Sequence, residues 1–174
     1  IVFDKTGTLT AGEPQVTQVI MFAGEGEKQV LALASGLEAY SEHLLARAVR
    51  KKAEAEGVKP ESFTDLAVFP GRGIKGKRGK ETYLLGSPAF LESEGINALP
   101  LGDLARMGET VIALSGNGKL LAALLVSDPL REESGDVVGS LRRLGIKSIE
   151  MLTGDRKEAA AAVAERLGFD EFSG

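Results

Sequence analysis

Asp4 closes a short apolar run, Ile1-Val2-Phe3, and is followed by Lys5-Thr6-Gly7-Thr8-Leu9-Thr10. An apolar run of this kind reads as a buried strand that delivers a carboxylate into a glycine-containing turn. A carboxylate held there can act as a nucleophile and accept a phosphoryl group as an acyl phosphate. Lys5, the turn amides opened by Gly7 and the hydroxyls of Thr6 and Thr8 then offset the charge that builds on the transferred oxygens. On these residues alone, a polar turn with an aspartate cap is an equally good reading.

The elements that would complete such a site stand at the other end of the chain. Asp128 is suited to cap a helix with Pro129 at its first position. Leu130, Ser134, Val137, Val138, Leu141 and Leu144 then recur at helical spacing before Gly145. A strand is expected over Ile146 to Leu152. Thr153-Gly154-Asp155 makes a tight turn, with Asp155 as N-cap of a helix that runs to Leu167 and stops at Gly168. Strand and helix alternate here, which argues for a parallel sheet with ligands at the carboxyl ends of its strands, where Asp4 and Thr153 both fall. Taken alone, Thr-Gly-Asp is also a plain turn and helix cap.

The middle of the chain has a different pattern. A strand at Val16 to Phe22 precedes helical stretches at Lys28 to Glu38 and Glu42 to Glu56. Short strands follow near Leu66 to Phe69, Ile74 to Lys77, Thr82 to Leu85, Thr110 to Leu114 and Lys119 to Val126, and Ser115-Gly116-Asn117-Gly118 is a hairpin signal. This predicts an α+β insert with an antiparallel sheet. Gly71-Arg72-Gly73-Ile74-Lys75-Gly76 formally fits a dinucleotide-binding fingerprint, but no helix follows it, so a glycine-permitted hairpin is expected, with small residues that let a ligand approach the backbone. His43, the only histidine, follows Ser41 and Glu42. Ser41 is expected to cap the second helix and Glu42 to complement its positive end.

Bulk properties exclude several functions. The 174 residues suffice for one domain or two small ones, and the absence of cysteine removes disulfides and thiolate metal sites. A net charge of −4 with both signs interspersed gives no footprint for nucleic acid. The longest apolar stretch, Leu120 to Val126, is far short of a membrane span. The chain begins without methionine inside an apolar run, which reads as a piece of a longer protein with no signal peptide.

Asp4-Lys5-Thr6-Gly7-Thr8-Leu9-Thr10 resembles the phosphorylation motif of the P-type ATPases, within the haloacid dehalogenase-like superfamily, and Thr153-Gly154-Asp155 resembles that family's second motif. Gly71, Gly73, Gly86, Glu38 and His43 match the nucleotide-binding pattern of its heavy-metal-transporting branch. The resemblance implies a partial, Rossmann-like phosphorylation domain with a parallel sheet (residues 1–10 and 123–174), interrupted by a nucleotide-binding domain (residues 11–122). It implies ATP and Mg²⁺ as cofactors and Asp4 as phosphate acceptor, with Lys5, Thr6, Thr153, Gly154 and Asp155 around it. Asp4 and the Thr6 carbonyl would hold the magnesium, and Glu38, His43, Gly71, Gly73 and Gly86 would surround the adenosine. Transmembrane and actuator domains and a transported heavy-metal cation, not bound by these residues, complete the implied partners at the cytoplasmic face of a membrane. Copper, silver, zinc, cadmium and cobalt stay open.

Phosphatases of the superfamily carry a second aspartate two residues after the nucleophile, as acid and later base. Here that position is Thr6, which favours a long-lived acyl phosphate. A soluble phosphohydrolase and a nucleotide-binding module without turnover are the alternatives. Two departures concern the nucleotide site: Leu44 stands where the family has proline, and Ser87 where it favours asparagine. The chain ends before a further Gly-Asp-Gly-x-Asn-Asp motif, which predicts nucleotide binding with feeble phosphoryl transfer. Hinges are expected near Thr10 to Pro14 and Ala122 to Ser127.

Overall fold

The computed structural model describes residues 1–102, 104, 109–154 and 157–173, with 157–159 and 162 described by backbone only. The described chain divides into two compact units, one of residues 1–14, 109 and 128–173, the other of residues 15–104 and 110–127. No described helix is long and apolar enough to cross a membrane.

In the first unit, β1 (Val2–Asp4), β8 (Glu150–Leu152) and β9 (Glu171–Ser173) form a parallel sheet in the order β1-β8-β9. Asp4 pairs with Leu152, and Leu152 with Ser173, so all three strands end level. Helices α4 (Ser134–Arg143) and α5 (Lys157–Leu167) supply the crossovers that parallel strands require. Leu9, Met151, Ala160 and Ala164 are the buried centre, with Phe3 and Phe169 edge to face at 5.8 Å. Gly168 ends α5 with φ +77°, the left-handed conformation that a glycine adopts without penalty.

Two expectations for this unit are corrected. The helix expected from Pro129 begins at Ser134, because Asp128 spends its carboxylate on Thr10 and Glu13 instead of on a helix terminus. The strand expected from Ile146 begins at Glu150, because the Ile149 amide is taken by the Asp170 side chain at 2.8 Å instead of by a neighbouring strand. β9 was not anticipated. The expected cap Asp155 lies outside the described residues.

In the second unit, β2 (Gln15–Met21), β3 (Thr64–Phe69), β4 (Gly73–Arg78), β5 (Glu81–Gly86), β6 (Thr110–Gly116) and β7 (Lys119–Ser127) form an antiparallel sheet in the order β2-β7-β6-β5-β4-β3. The helices α1 (Glu27–Leu37) and α2 (Leu44–Ala55) contribute Val30, Leu33, Leu37 and Val49 to the core on one face. The short α3 (Pro88–Ser93), which the sequence reading missed, brings Phe90 and Leu91 to the other. β7 is therefore covered on both faces and paired on both edges, which explains its unbroken apolar run. The hairpin between β6 and β7 forms at Asn117 and Gly118, both at positive φ (50° and 79°), as a two-residue turn of the type that suits strand twist.

Candidate functional site

Asp4 is the last residue of β1 and is exposed at the carboxyl end of the parallel sheet. The next five residues form one wide turn, closed by the Thr10 amide donating to the Lys5 carbonyl at 3.1 Å. Thr6 is extended, and Gly7 supplies the left-handed step with φ +77°. The Gly7 amide donates inward to Thr10 Oγ1 at 3.0 Å, so this glycine serves the turn by its conformation and not as an anion donor. Lys5 is half-buried. Burial pulls its ammonium below the usual lysine value, and the Asp128 carboxylate acts in the opposite direction.

Residues 128–134 brace this turn, and sequence reasoning had assigned them to a helix. Asp128 accepts the Thr10 hydroxyl at 2.6 Å and the Glu13 amide at 3.1 Å. The Ala11 amide donates to the Pro129 carbonyl, and the Arg131 amide to the Leu9 carbonyl, both at 2.9 Å. The Arg131 guanidinium reaches the Gly7 carbonyl at 3.3 Å, and the buried Ser134 hydroxyl donates to Leu9 at 2.8 Å. The signal that was available is the Asp-Pro pair itself, which initiates turns as readily as helices.

Thr153 follows β8 directly, so its backbone lies one residue beyond the partner of Asp4 in the sheet. Its amide donates to the Ser173 carbonyl at 2.9 Å, and the residue is buried. Gly154 is exposed, with open space where a side chain would project. The ends of β1 and β8 thus bring Asp4 and the Thr153-Gly154 turn to one edge.

In the other unit, Gly73 and Gly86 are direct partners across β4 and β5. A Cβ on Gly73 would meet the Leu85 carbonyl at 2.4 Å, and one on Gly86 the Arg72 carbonyl at 2.4 Å, with the Phe90 ring also against both. Close packing alone therefore requires both glycines. Gly71 differs: it sits in the turn between β3 and β4 at φ +69°, facing open space. The expected glycine-permitted hairpin is present. Ser87 caps α3 by accepting the Phe90 amide at 3.2 Å, so its hydroxyl is already engaged.

Glu38 and His43 bracket the connection between α1 and α2. The ring Nδ1 of His43, and not Ser41, caps α2 by accepting the Leu45 amide at 3.3 Å. The Ser41 hydroxyl instead accepts from the His43 amide at 3.4 Å. Burial pushes the Glu38 carboxyl above the usual glutamate value, while a hydrogen bond from Ser41 and the charges of His43 and Arg50 restrain it. Leu37 packs where a side chain on Gly76 would stand, so the start of this connection lies over β4, three residues along from Gly73.

A cavity of about 190 Å³ in the same unit contains none of these residues. It lies by Arg78 and Glu81, at the opposite end of β4 from Gly73, with Glu25, Tyr83 and Asn117 also in its wall. Among the described residues no group of three or more histidine, aspartate or glutamate side chains gathers to hold a metal ion.

A parallel sheet with an aspartate at the end of its first strand, carrying a large antiparallel insert, defines the class. The chain belongs to the haloacid dehalogenase-like hydrolase family, whose model matches residues 1–174. It is 39% identical to a zinc-exporting P-type ATPase of Mycobacterium marinum over 99% of this chain and 24% of that protein. It is 35% identical to copper-exporting P-type ATPase B of Archaeoglobus fulgidus over 99% of this chain and 25% of the relative. Among solved structures, a zinc-transporting PIB-type ATPase in the E2.Pi state matches with a TM-score of 0.83 at 32% identity, covering 99% of this chain and 28% of the other. The catalytic domain of the CPx-ATPase CopB-B, described for its conformational changes upon nucleotide binding, matches with a TM-score of 0.74 at 31% identity, covering 99% and 60%. The chain thus spans about a quarter of the length of the curated relatives it matches.

Proposed function

We propose that this chain is the ATP-binding and phosphorylation portion of a heavy-metal-transporting P-type ATPase, in which the unit with the parallel sheet carries the phosphorylation chemistry and the unit with the antiparallel sheet binds the nucleotide. The observation that carries the reading is Asp4, exposed at the end of β1 in a glycine turn braced by Asp128, Arg131 and Ser134. One Asp4 carboxylate oxygen attacks the γ-phosphorus of ATP. The new P–O bond forms as the bond to the β,γ-bridging oxygen breaks, and ADP leaves with that electron pair. Lys5, Thr153 and the Gly154 turn offset charge on the transferred oxygens, and Asp155 completes the set.

The donors at Asp4 fit magnesium, since a carboxylate and the carbonyl of the extended Thr6 are hard oxygen ligands, with water and phosphate to fill the remainder. Magnesium there supplies charge neutralisation on the phosphates. Thr6 stands where a hydrolytic acid and base would be needed, which supports a persistent acyl phosphate over a phosphatase. Glu38, His43, Gly71, Gly73 and Gly86 are proposed to hold the adenosine end of ATP. In the parent protein, loss of the phosphoryl group drives a heavy-metal cation across a membrane, with this portion on its cytoplasmic side and with transmembrane and actuator domains as partners.

Calorimetry of this chain with a non-hydrolysable ATP analogue tests the binding half: saturable binding is expected, and its absence overturns the nucleotide reading. In the full-length protein, ATP and Mg²⁺ are expected to leave a hydroxylamine-labile phosphate that Asp4→Asn abolishes. Labelling that survives the substitution overturns the assignment of Asp4.

A further inference from the structure

The connection between α1 and α2 carries Glu38 and His43, yet Ala39, Tyr40, Glu42 and His43 are exposed, and Tyr40 is 86% accessible. A six-residue segment with four exposed residues needs a separate reason to hold two side chains in fixed positions. On one side, α1 ends at Leu37, leaving carbonyl oxygens with no partner in the helix. On the other, α2 offers Arg50, seven residues beyond His43 and therefore on the same face two turns along.

The half-buried Arg50 side chain runs back along α2 to this segment. Its Nη1 donates one short hydrogen bond to the Glu38 carbonyl and another, at 2.6 Å, to the Ser41 carbonyl. Glu38 O also accepts the Ser41 amide at 3.1 Å, so the guanidinium closes over a turn that is already hydrogen-bonded. A cation at the carbonyl end of α1 is favoured as well by the helix dipole. We propose that Arg50 is a positioning residue of the nucleotide site, fixing Glu38 and His43 by clamping the carbonyls of Glu38 and Ser41. The proposal rests on the assignment of those two residues to the nucleotide. The same guanidinium charge acts on the Glu38 carboxyl against the effect of its burial.

The backbone at the far side of the clamp supplies an independent handle. Leu44 is the first residue of α2, where proline is tolerated because the amide has no helical partner. His43 has ψ 144°, the extended conformation that a residue preceding proline adopts. Leu44→Pro therefore stiffens the segment without supplying charge.

The test uses this chain, with a non-hydrolysable ATP analogue as ligand and amide exchange measured without ligand. Arg50→Met is expected to weaken the analogue about tenfold, as the loss of charge-assisted hydrogen bonds would predict. It should also speed exchange at the Ser41 and Leu45 amides. Arg50→Lys, which keeps the charge and several N–H donors on one nitrogen but on a shorter side chain, is expected to fall between Arg50→Met and the unaltered chain. Leu44→Pro in the Arg50→Met background is expected to recover most of the affinity. Unchanged exchange at Ser41 and Leu45 in Arg50→Met overturns the clamp whatever the ligand does. Faster exchange with unaltered affinity overturns the positioning role. Failure of Leu44→Pro to recover affinity assigns the loss to the missing charge and equally overturns it. If the unaltered chain does not bind the analogue, the nucleotide reading fails and the positioning role with it, while the exchange data still report the clamp separately.

Discussion

The Thr10 hydroxyl donates to Asp128 Oδ2 at 2.6 Å across 118 residues of sequence, and Thr10 is wholly buried. The same hydroxyl oxygen accepts the Gly7 amide, so one side chain joins the turn after Asp4 to the segment that braces it. Asp128→Ala removes the acceptor of the Glu13 amide and the shorter of the two acceptors of the Thr10 hydroxyl, which keeps only the Lys5 carbonyl at 3.3 Å, a loss of about 1 to 2 kcal/mol in local stability. Exchange of the Gly7 amide reads this directly and is expected to accelerate. Thr10→Val added to Asp128→Ala should cost less than the two changes separately, with a coupling of about 1 kcal/mol. Additive effects would mean the two side chains act independently.

The matched glycines separate by cause. Gly73→Ala and Gly86→Ala force a Cβ to within 2.4 Å of a backbone carbonyl, and each is expected to cost about 2 to 3 kcal/mol by denaturant unfolding. Gly71→Ala meets nothing within 4 Å and carries only the strain of φ +69°, about 1 kcal/mol. Of the three, Gly71→Ala is thus the variant in which lost nucleotide affinity would report contact with ligand. Equal destabilisation at all three positions would contradict this packing.

Much of this was legible in the sequence because local chemistry dictates it. Asn117-Gly118 signals a tight hairpin, the run from Leu120 to Val126 a covered strand, and the carboxylate after Ile1-Val2-Phe3 a strand end. What escaped depends on partners distant in sequence. Asp128-Pro129 has the composition of a helix start, and only its contacts with Thr10 and Glu13 assign it to a brace. Gly73 and Gly86 read as ligand-facing until their pairing against Phe90 gives each a packing reason. Nothing local to Arg50 in the sequence reveals that it returns to Glu38 and Ser41.

His43 caps α2 through Nδ1, which requires that nitrogen to be the acceptor and leaves the ring proton on Nε2. Nitrogen NMR of the neutral imidazole is expected to show that tautomer. His43→Ala should destabilise α2 by about 1 kcal/mol, whereas His43→Asn keeps a capping oxygen and should be near neutral. Nucleotide affinity is expected to fall in both variants, because neither retains the ring. If His43→Asn preserves affinity as well as stability, the residue serves the helix and not the ligand.

Glu38 makes a prediction whose sign follows from burial. Desolvation raises its carboxyl above the ordinary glutamate value, and Ser41, His43 and Arg50 offset this only in part. Between the ordinary value, about 4.3, and the raised one, the folded chain holds a proton that the unfolded chain has released. Stability therefore falls as pH rises through that window, and the cost of ionisation is fully present above it. Glu38→Gln removes the titration, so its unfolding free energy should be flatter with pH there and higher relative to the unaltered chain at neutral pH than in acid. Carbon NMR of the carboxyl should place the midpoint above that of an exposed glutamate. A midpoint at or below it would mean that Ser41, His43 and Arg50 outweigh burial, and the slope of stability with pH would reverse.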